Sequence, residues 1–437
     1  MENGVRVNDN SEEVEKLTLK IINNDKMKES NDDIDALFPI PNFGIDVGDV
    51  PLSKALVTKC DLFWICVSIL THLIDIGADL NLARSYYVGG MFGYFIWTVI
   101  FLFAPSFINI IVSIRMYNQD CEKNAENYKT QTLANKTVRN VLCWPAILIF
   151  QLAPVLRYID CFNFALKSYN YKAKGDNLKQ KKYYLKMLKE EQDIALLRVF
   201  ECFLEAAPHQ ILQLTIMMIN HDEQNINSNF IHQCISILSS LIGMGWAMAS
   251  YHRSIRLAQW DKENITAIGS YLQFFWHFFI TVSRIVAISA AATVFTMYTL
   301  IVAIVHWIIM TIWILFRPSG VEQFCRDLRK PPHARLTIVE KIKSWLFASV
   351  IGVISIFTYL KPSEGPTYWR HAFYYTICGI ENVFACLIWI YFDVAVTKWY
   401  YELIIILCTA PFILGMSFMI IYYQFFHPAT KKNIVNQ

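Results

Sequence analysis

Seven ionisable side chains lie inside stretches of sequence that are otherwise almost wholly apolar. They are Asp75, Asp79, Arg198, Glu201, Glu205, Arg284 and Glu381. Placing each of them in hydrocarbon costs at least about 2.5–3.5 kcal/mol. We therefore expect these groups to pair with one another or to line a wet path that guides polar or charged groups through the membrane.

Four of the carboxylates form two closely spaced pairs. Asp75 and Asp79 are four residues apart, and so are Glu201 and Glu205. On a helix this spacing puts both members of a pair on one face, about 6 Å apart, where like charges repel. Each pair therefore needs a neighbouring positive charge.

Two arginines are the expected partners. Arg198 lies three residues before Glu201 on the same helical face, and it can offset the charge there. Arg284 is the natural cross-helix partner for Asp75 or Asp79. Buried ion pairs that only fix helix register and a polar track for head groups or ions are both open interpretations, and they are compatible.

The chain shows no constellation typical of an enzyme. It has no GxSxG, no HExxH and no phosphate-binding glycine loop, so we predict neither catalysis, nor a cofactor, nor a metal. His209 lies in an apolar segment and is interpreted as an interior histidine rather than as a ligand or base. Gln210 and Gln213 add polarity to one face of that segment.

The composition places these residues in a membrane protein. Of 437 residues, 55% are hydrophobic and 17% are charged, whereas a soluble domain carries about 25% charged residues. Residues 1–58 hold six Lys/Arg against twelve Asp/Glu, so the remainder of this chain of net charge +3 carries about +9. This excludes a secreted disulfide scaffold, a disordered protein and an ordinary soluble enzyme, and no basic stripe with aromatics indicates nucleic-acid binding.

Ten apolar segments approach the roughly 20 residues that a membrane helix needs. Their approximate ranges are 61–82, 87–115, 139–166, 194–219, 231–251, 267–291, 293–316, 345–360, 372–396 and 403–423. Excess Lys/Arg in the loops near 116–139, 167–193, 252–265 and 317–344 marks the cytosolic side.

Simple alternation of ten crossings conflicts with these charges. The loops 116–139 and 167–193 are both basic although only one apolar segment separates them. We therefore expect 139–166 to enter the membrane and return, with breaks at Pro145 and Pro154, and we expect the short segment 345–360 to do the same. This leaves eight spans and puts both termini in the cytosol.

The order of spans and partial helices then occurs twice. We predict an acidic, mostly disordered tail, two parallel membrane repeats, a cytosolic linker and a short cytosolic C-terminal tail. The acidic tail is 1–58, and the two repeats are 59–251 and 267–423. The linker between the repeats is 252–266, and the C-terminal tail is 424–437. Leu62-Phe63-Trp64 and Phe274-Phe275-Trp276 open the two repeats, although aromatic belts at helix starts would give the same pattern.

The acidic tail contains two short motifs of the kind that executioner caspases cut. Asp32-Asp33-Ile34-Asp35 is followed by Ala36, and Asp46-Val47-Gly48-Asp49 is followed by Val50. We interpret Asp35 and Asp49 as candidate cleavage sites.

Several long motifs resemble those of the XK-related membrane proteins. Residues 195–214, ALLRVFECFLEAAPHQILQL, match the family signature, and further matches occur at 75–79, 105–106 and 151–158. The C-terminal residues 421–428 are similar to the family's cell-death branch. The resemblance covers about residues 55–430.

The resemblance implies a plasma-membrane phospholipid scramblase that exposes phosphatidylserine in apoptotic cells. It also implies an all-α polytopic fold of eight spans plus two partial helices in two repeats. A caspase would remove an inhibitory terminal segment, and a single-span chaperone or a second copy of the chain would be a partner.

We predict that the seven intramembrane groups form the track for lipid head groups. Two alternatives stay open at this point. One is an ion- or proton-coupled transporter, since paired intramembrane carboxylates suit that work. The other is a non-transporting scaffold for a partner protein, in which the same charges are structural.

Overall fold

The structure is a computed structural model that describes residues 56–123, 132–220, 228–257, 264–316, 319–327, 334–360, 368–392 and 400–427. All regular structure in these ranges is helical, which confirms the all-α polytopic fold. Thirteen α-helices, α1 to α13, follow in chain order: Lys59–Val88, Phe92–Lys123, Leu133–Arg139, Trp144–Ile149, Leu152–Ala173, Asn177–Glu201, Ala207–Asn220, Ser228–Leu257, Ala267–Leu315, Ser319–Cys325, Ile338–Ile354, Tyr368–Phe392 and Tyr401–Ile421.

Seven helical segments in the described ranges are long and apolar enough to cross a membrane. One of them, α9, has 49 residues, about 73 Å at 1.5 Å per residue, more than twice the thickness of the hydrocarbon. Its backbone leaves the helical region at Phe295, where φ is −134° and ψ is 70°. The two parts of α9 correspond to the predicted segments 267–291 and 293–316, which supports the expectation of eight spans.

The polar stretch 167–193, which its hydropathy and charge predict to be a loop, is helical. It contains the end of α5 and most of α6, joined by a turn in which Gly175 has a φ of +74°. The side chain of Asp176 then caps α6 by accepting a hydrogen bond from the Lys179 backbone N–H at 3.1 Å. Lys, Leu and Glu favour helix, so the loss of hydrophobicity after residue 166 ends the apolar segment without ending the helix.

The first predicted partial helix, 139–166, is broken as expected, but at a different residue. A short helix, α4, ends at Ile149, and Gln151 adopts a left-handed conformation with φ 46° before α5 begins. Pro145 and Pro154 lie in the first turns of α4 and α5, where a missing backbone N–H removes no intrahelical bond. The prolines therefore start the two helices, and the break lies between them.

The second partial helix begins earlier than predicted from 345–360. It is α11, which starts after Thr337 with a capping box to Glu340 and ends at Ile354. With 17 residues it is shorter than a comfortable span. Residues 355–360 continue as tight turns and are mostly buried by protein, which is the condition under which non-helical backbone is tolerated at membrane depth.

The long helix α9 lies at the centre of the molecule, packed against α8 and α13 at two glycines. A Cβ atom on Gly245 would lie 2.9 Å from the Cβ of Phe278, and one on Gly415 would lie 2.8 Å from Ile280. Small residues at such crossings let membrane helices approach closely. The helices at the periphery expose large apolar side chains, among them Trp64 and Ile74 on α1.

Candidate functional site

A histidine on α1 connects three elements of the first half of the chain. His72 Nδ1 lies 2.9 Å from Glu201 Oε1 at the end of α6, and its Nε2 lies 3.2 Å from the backbone carbonyl of Gln151 at the break before α5. We call this arrangement of His72, Glu201 and the Gln151 carbonyl the His72 bridge. The histidine is 6% exposed, whereas Glu201 is 21% exposed.

The second glutamate of this pair has a different partner. Glu205 lies in a π-helical turn, Cys202–Ala206, that joins α6 to α7. Such turns carry an extra residue and often occur at functional sites. The buried Glu205 accepts a hydrogen bond from Gln151 Nε2 at 2.9 Å. Both glutamates are therefore connected to Gln151 at the helix break. Glu205 accepts a hydrogen bond from the Gln151 side chain, and Glu201 is linked to the Gln151 backbone carbonyl through His72.

The aspartate pair lies on the same stripe of α1 as His72. Asp79 Oδ1 is 3.5 Å from Nδ1 of the buried His209, and Asp79 is 30% exposed. Asp75 is exposed beside Ile74, whose side chain is 60% exposed. Asp75 forms no ion pair with any residue that the structure describes, so its exposed carboxylate lies beside the His72 bridge without a direct partner.

Arg198 does not pair with Glu201 as expected. Its Nη1 lies 3.4 Å from the hydroxyl of Tyr158, and no carboxylate oxygen of the described residues lies within ion-pair distance of it. The direct partner of Glu201 is the imidazole of His72. Sequence reasoning missed that histidine, although its spacing of three and seven residues before Asp75 and Asp79 was a usable signal.

The predicted pairing of Arg284 with Asp75 or Asp79 is wrong. Arg284 Nη2 donates to Glu381 Oε2 at 2.8 Å, and its Nη1 donates to Asn382 Oδ1 at 2.8 Å. Helix α12 packs against α9, so the nearest carboxylate to this buried guanidinium belongs to the second half. Distance along the chain gives no hint of that neighbour.

A second histidine completes the cluster around Arg284. His306 Nδ1 lies 2.7 Å from Glu381 Oε1, and its Nε2 lies 3.1 Å from the backbone carbonyl of Ser355, just past the end of α11. We call this arrangement of His306, Glu381 and the Ser355 carbonyl the His306 bridge. It repeats the chemistry of the His72 bridge, although His72 lies in the first span of its half and His306 in the second part of α9.

Three side chains near Arg284 have donor atoms of the types that bind metals. His306, Cys378 and Glu381 bring one such atom each within 4.8 Å of one another. Glu381 is already bound by the guanidinium of Arg284 and by His306. Both carboxylate oxygens of Glu381 are thus already engaged, and we therefore interpret this group as an ion-pair cluster.

The seven predicted groups thus form two clusters of unlike character, and no hydrogen bond or ion pair between described residues joins the two. The first cluster contains the four carboxylates of α1, α6 and the π-helical turn together with Arg198, and part of it is exposed. The second contains Arg284 and Glu381, which neutralise each other. The candidate cleavage sites Asp35 and Asp49 lie outside the described residues.

A buried ion network fixes the first partial helix. Arg157 on α5 is fully buried, and its Nη1 lies 2.8 Å from Glu190 and 3.0 Å from Asp193 on α6. Its guanidinium also stacks over the ring of Tyr117 on α2 at 3.5 Å. The network holds the α5–α6 hairpin against α2.

Comparisons with known proteins agree with the motifs found in the sequence. The XK-related protein family matches residues 63–428. The chain is 26% identical over 392 residues to cell death abnormality protein 8 of Caenorhabditis briggsae, which covers 87% of this chain and 81% of that protein. It is 27% identical over 397 residues to the protein of the same name from Caenorhabditis elegans, which covers 88% of this chain and 82% of that one. The match covers the spans, both partial helices and both clusters, and the chain belongs to the XK-related family.

Proposed function

We propose that this protein is a phospholipid scramblase of the plasma membrane that exposes phosphatidylserine in dying cells. Family membership supports the proposal, as do the relatives named for a cell-death abnormality. The observation that carries it is the partly exposed first cluster. An exposed carboxylate without an ion-pair partner on a membrane-spanning helix is costly, and a polar lipid track gives it a use.

The proposed track runs along α1 past the end of α6. Asp75, Asp79 and Glu201 are the exposed or partly exposed carboxylates there. They offer acceptors to the ammonium and hydroxyl groups of phospholipid head groups, while the acyl chains stay in the bilayer. The transport is downhill and needs no cofactor in this scheme.

The second cluster has a different role in this proposal. Arg284 is buried and bound to Glu381, Asn382 and a backbone carbonyl. We assign Arg284 and Glu381 to holding α9, α11 and α12 together rather than to contact with lipid.

The acidic tail is the proposed switch. The tail would stabilise a closed state of the protein. Cleavage after Asp35 or Asp49 by an executioner caspase would remove it and shift the population toward an open state. We propose that both termini lie in the cytosol, where a caspase can reach the tail.

Transport by purified protein in liposomes tests the proposal. Protein truncated after Asp35, and separately after Asp49, should move fluorescently labelled phospholipids between leaflets faster than the full-length chain. If neither truncated protein moves lipid while both elute as folded protein, the scramblase proposal is wrong.

Substitutions in the truncated protein test the track itself. The double variant with Asp75→Asn and Asp79→Asn should lower the transport rate by about tenfold. This fall corresponds to about 1.4 kcal/mol in the barrier, close to the contribution of one hydrogen bond to a charged group. Glu402→Gln, at an exposed carboxylate in the first turn of α13, is the matched control and should keep the rate. Equal rates in all three proteins would place the lipid path elsewhere.

The same liposomes separate the two alternatives. A coupled transporter would move a solute in an ion- or pH-dependent manner without moving lipid. A scaffold would move neither, and the substitutions would change only its folding or its surface expression.

A further inference from the structure

The two histidine bridges share a hydrogen-bond arrangement that fixes their proton content. In each bridge one ring nitrogen faces a glutamate oxygen and the other faces a backbone carbonyl. A carbonyl and an ionised carboxylate can only accept hydrogen bonds, whereas a neutral imidazole has only one N–H to donate. Both contacts are therefore hydrogen bonds only when the histidine and the glutamate together hold one proton more than a neutral imidazole and an ionised carboxylate do.

Two arrangements satisfy this count. The pair is either an imidazolium beside a carboxylate or a neutral imidazole beside a carboxylic acid. In the His306 bridge Arg284 also donates to Glu381 at 2.8 Å, and this contact favours the ionised glutamate. His306 is therefore the member that holds the proton there.

The surroundings of the His72 bridge are charged on several sides. Asp75 lies on the same helix, three residues on, and both it and Glu201 act electrostatically on His72. Arg198 on α6 acts on Glu201 and on Asp75. The element at the break contributes Gln151, which does not titrate.

The surroundings of the His306 bridge are closer to neutral. Arg284 and Glu381 compensate each other, Cys378 lies within 4.8 Å, and the ring of Tyr374 lies edge-on at 6.5 Å. The break after α11 contributes two backbone carbonyls, that of Ser355 facing His306 and that of Ile356 accepting from Arg284.

Both carbonyls lie where a partial helix is broken. Gln151 is the left-handed residue between α4 and α5, and Ser355 caps the end of α11. Each bridge thus connects a helix break to two other helices, the membrane-spanning helix that carries the histidine and the helix that carries the glutamate.

We propose that His72 and His306 are positioning residues that fasten the two helix breaks to the spans around them, each through a proton shared with its glutamate. Loss of the proton removes one of the two hydrogen bonds in a bridge and loosens the break. The expected effect on lipid transport rests on the function proposed above, whereas the proton content does not.

Nitrogen NMR of the truncated protein in nanodiscs, with isotope-labelled histidine, tests the proton content. At about pH 8, where a free histidine is neutral, we expect the His306 ring to carry protons on both nitrogens. The His72 ring should do the same, or Glu201 should show the infrared band of a carboxylic acid, lost in Glu201→Gln. Assignment uses His72→Gln and His306→Gln.

A neutral ring at both sites, with both glutamates ionised, would overturn the proposal. If a variant fails to fold, the protein without substitutions still decides the His306 bridge, since the absence of any doubly protonated ring at about pH 8 contradicts the proton content proposed for it. His277→Gln is the matched control. His277 is equally buried, but its Nδ1 faces the hydroxyl of Thr358 at 3.2 Å, a group that can donate or accept, so its ring needs no additional proton.

The pH profile of lipid transport tests the positioning role. We expect the rate of transport by the truncated protein to change with pH, because loss of the bridge proton removes a hydrogen bond that holds a break. In His72→Gln and His306→Gln the profile should flatten, since the amide can donate but does not titrate, and in His277→Gln it should be retained. An unchanged profile in both bridge variants would refute the positioning role. If the rings hold their protons but no protein moves lipid, the proposed function fails and the proton content stands.

Discussion

At the scale of single residues, the surroundings of each charge separate groups that look alike in the sequence. Asp75 lies on an exposed helix face without an ion-pair partner in the described part of the chain, whereas Arg284 is enclosed by Glu381, Asn382 and a backbone carbonyl. An enclosed charge is compensated by fixed partners, and an exposed one is available to a ligand. The two should therefore respond differently to neutralisation.

Neutralising Arg284 should damage the fold. Arg284→Leu leaves Glu381 with His306 as its remaining side-chain partner among the described residues, and losing one member of a buried pair typically costs about 3–5 kcal/mol. We expect a large fall in melting temperature and in surface expression. Asp75→Asn is the control, with no such fall expected, and equal losses in the two variants would contradict the separation into two clusters.

At the scale of elements, buried polar groups hold the first partial helix in addition to its apolar packing. The buried guanidinium of Arg157 connects α5 to α6 and to the ring of Tyr117. Its removal leaves the carboxylates of Glu190 and Asp193 together without that cation.

Arg157→Met should therefore destabilise the α5–α6 hairpin. By the same reasoning as for other buried pairs, the expected loss is about 3–5 kcal/mol, measured by thermal unfolding in detergent. Lys179→Ala is the comparison, because Lys179 forms an exposed pair with Asp176 that should contribute little. A stable Arg157→Met protein would show that the network is dispensable.

The close crossing of α8 and α9 leads to a prediction about the stability cost of a larger side chain there. Gly245→Ala would bring its new methyl group within 2.9 Å of Phe278, and such overpacking costs about 1–3 kcal/mol. Gly243→Ala, two residues away, has nothing within 4 Å and should be neutral or slightly stabilising through better helix propensity. Melting temperatures of the two variants give the comparison, and an equal response would argue against close approach of the helices.

At the scale of the whole molecule, the predicted topology assigns each loop to one side of the membrane. The predicted topology puts the loops near 116–139 and 252–266 in the cytosol. Each contains a glycosylation sequon, at Asn135 and Asn264. Asn135 is buried on α3, whereas Asn264 is exposed, so Asn264 is the better reporter.

We expect neither asparagine to carry a glycan when the protein is expressed in animal cells. The measurement is electrophoretic mobility before and after endoglycosidase treatment. A shift that disappears in Asn264→Gln would move the 252–266 linker outside the cell and overturn the predicted topology.

The fold class could be predicted from the sequence because hydrocarbon imposes a length and a composition on every helix that crosses it. The breaks were harder to place. Pro145 and Pro154 indicated the right segment, but the residue with left-handed backbone is Gln151. Side chains from α1 and from the π-helical turn contact it there. The polar helix α6 was missed as a helix because hydropathy reports polarity and not backbone conformation.

The sequence by itself determined which charges had to be explained, since the penalty for a charge in hydrocarbon depends only on its position in an apolar run. It also determined the family, through a signature that residues 195–214 carry. Only the tertiary structure decided the pairing, because partners such as Glu381 for Arg284 and His72 for Glu201 lie 97 and 129 residues away. Electrostatic attraction and hydrogen bonding act through space over a few ångströms, and packing of the helices chooses which residues come that close.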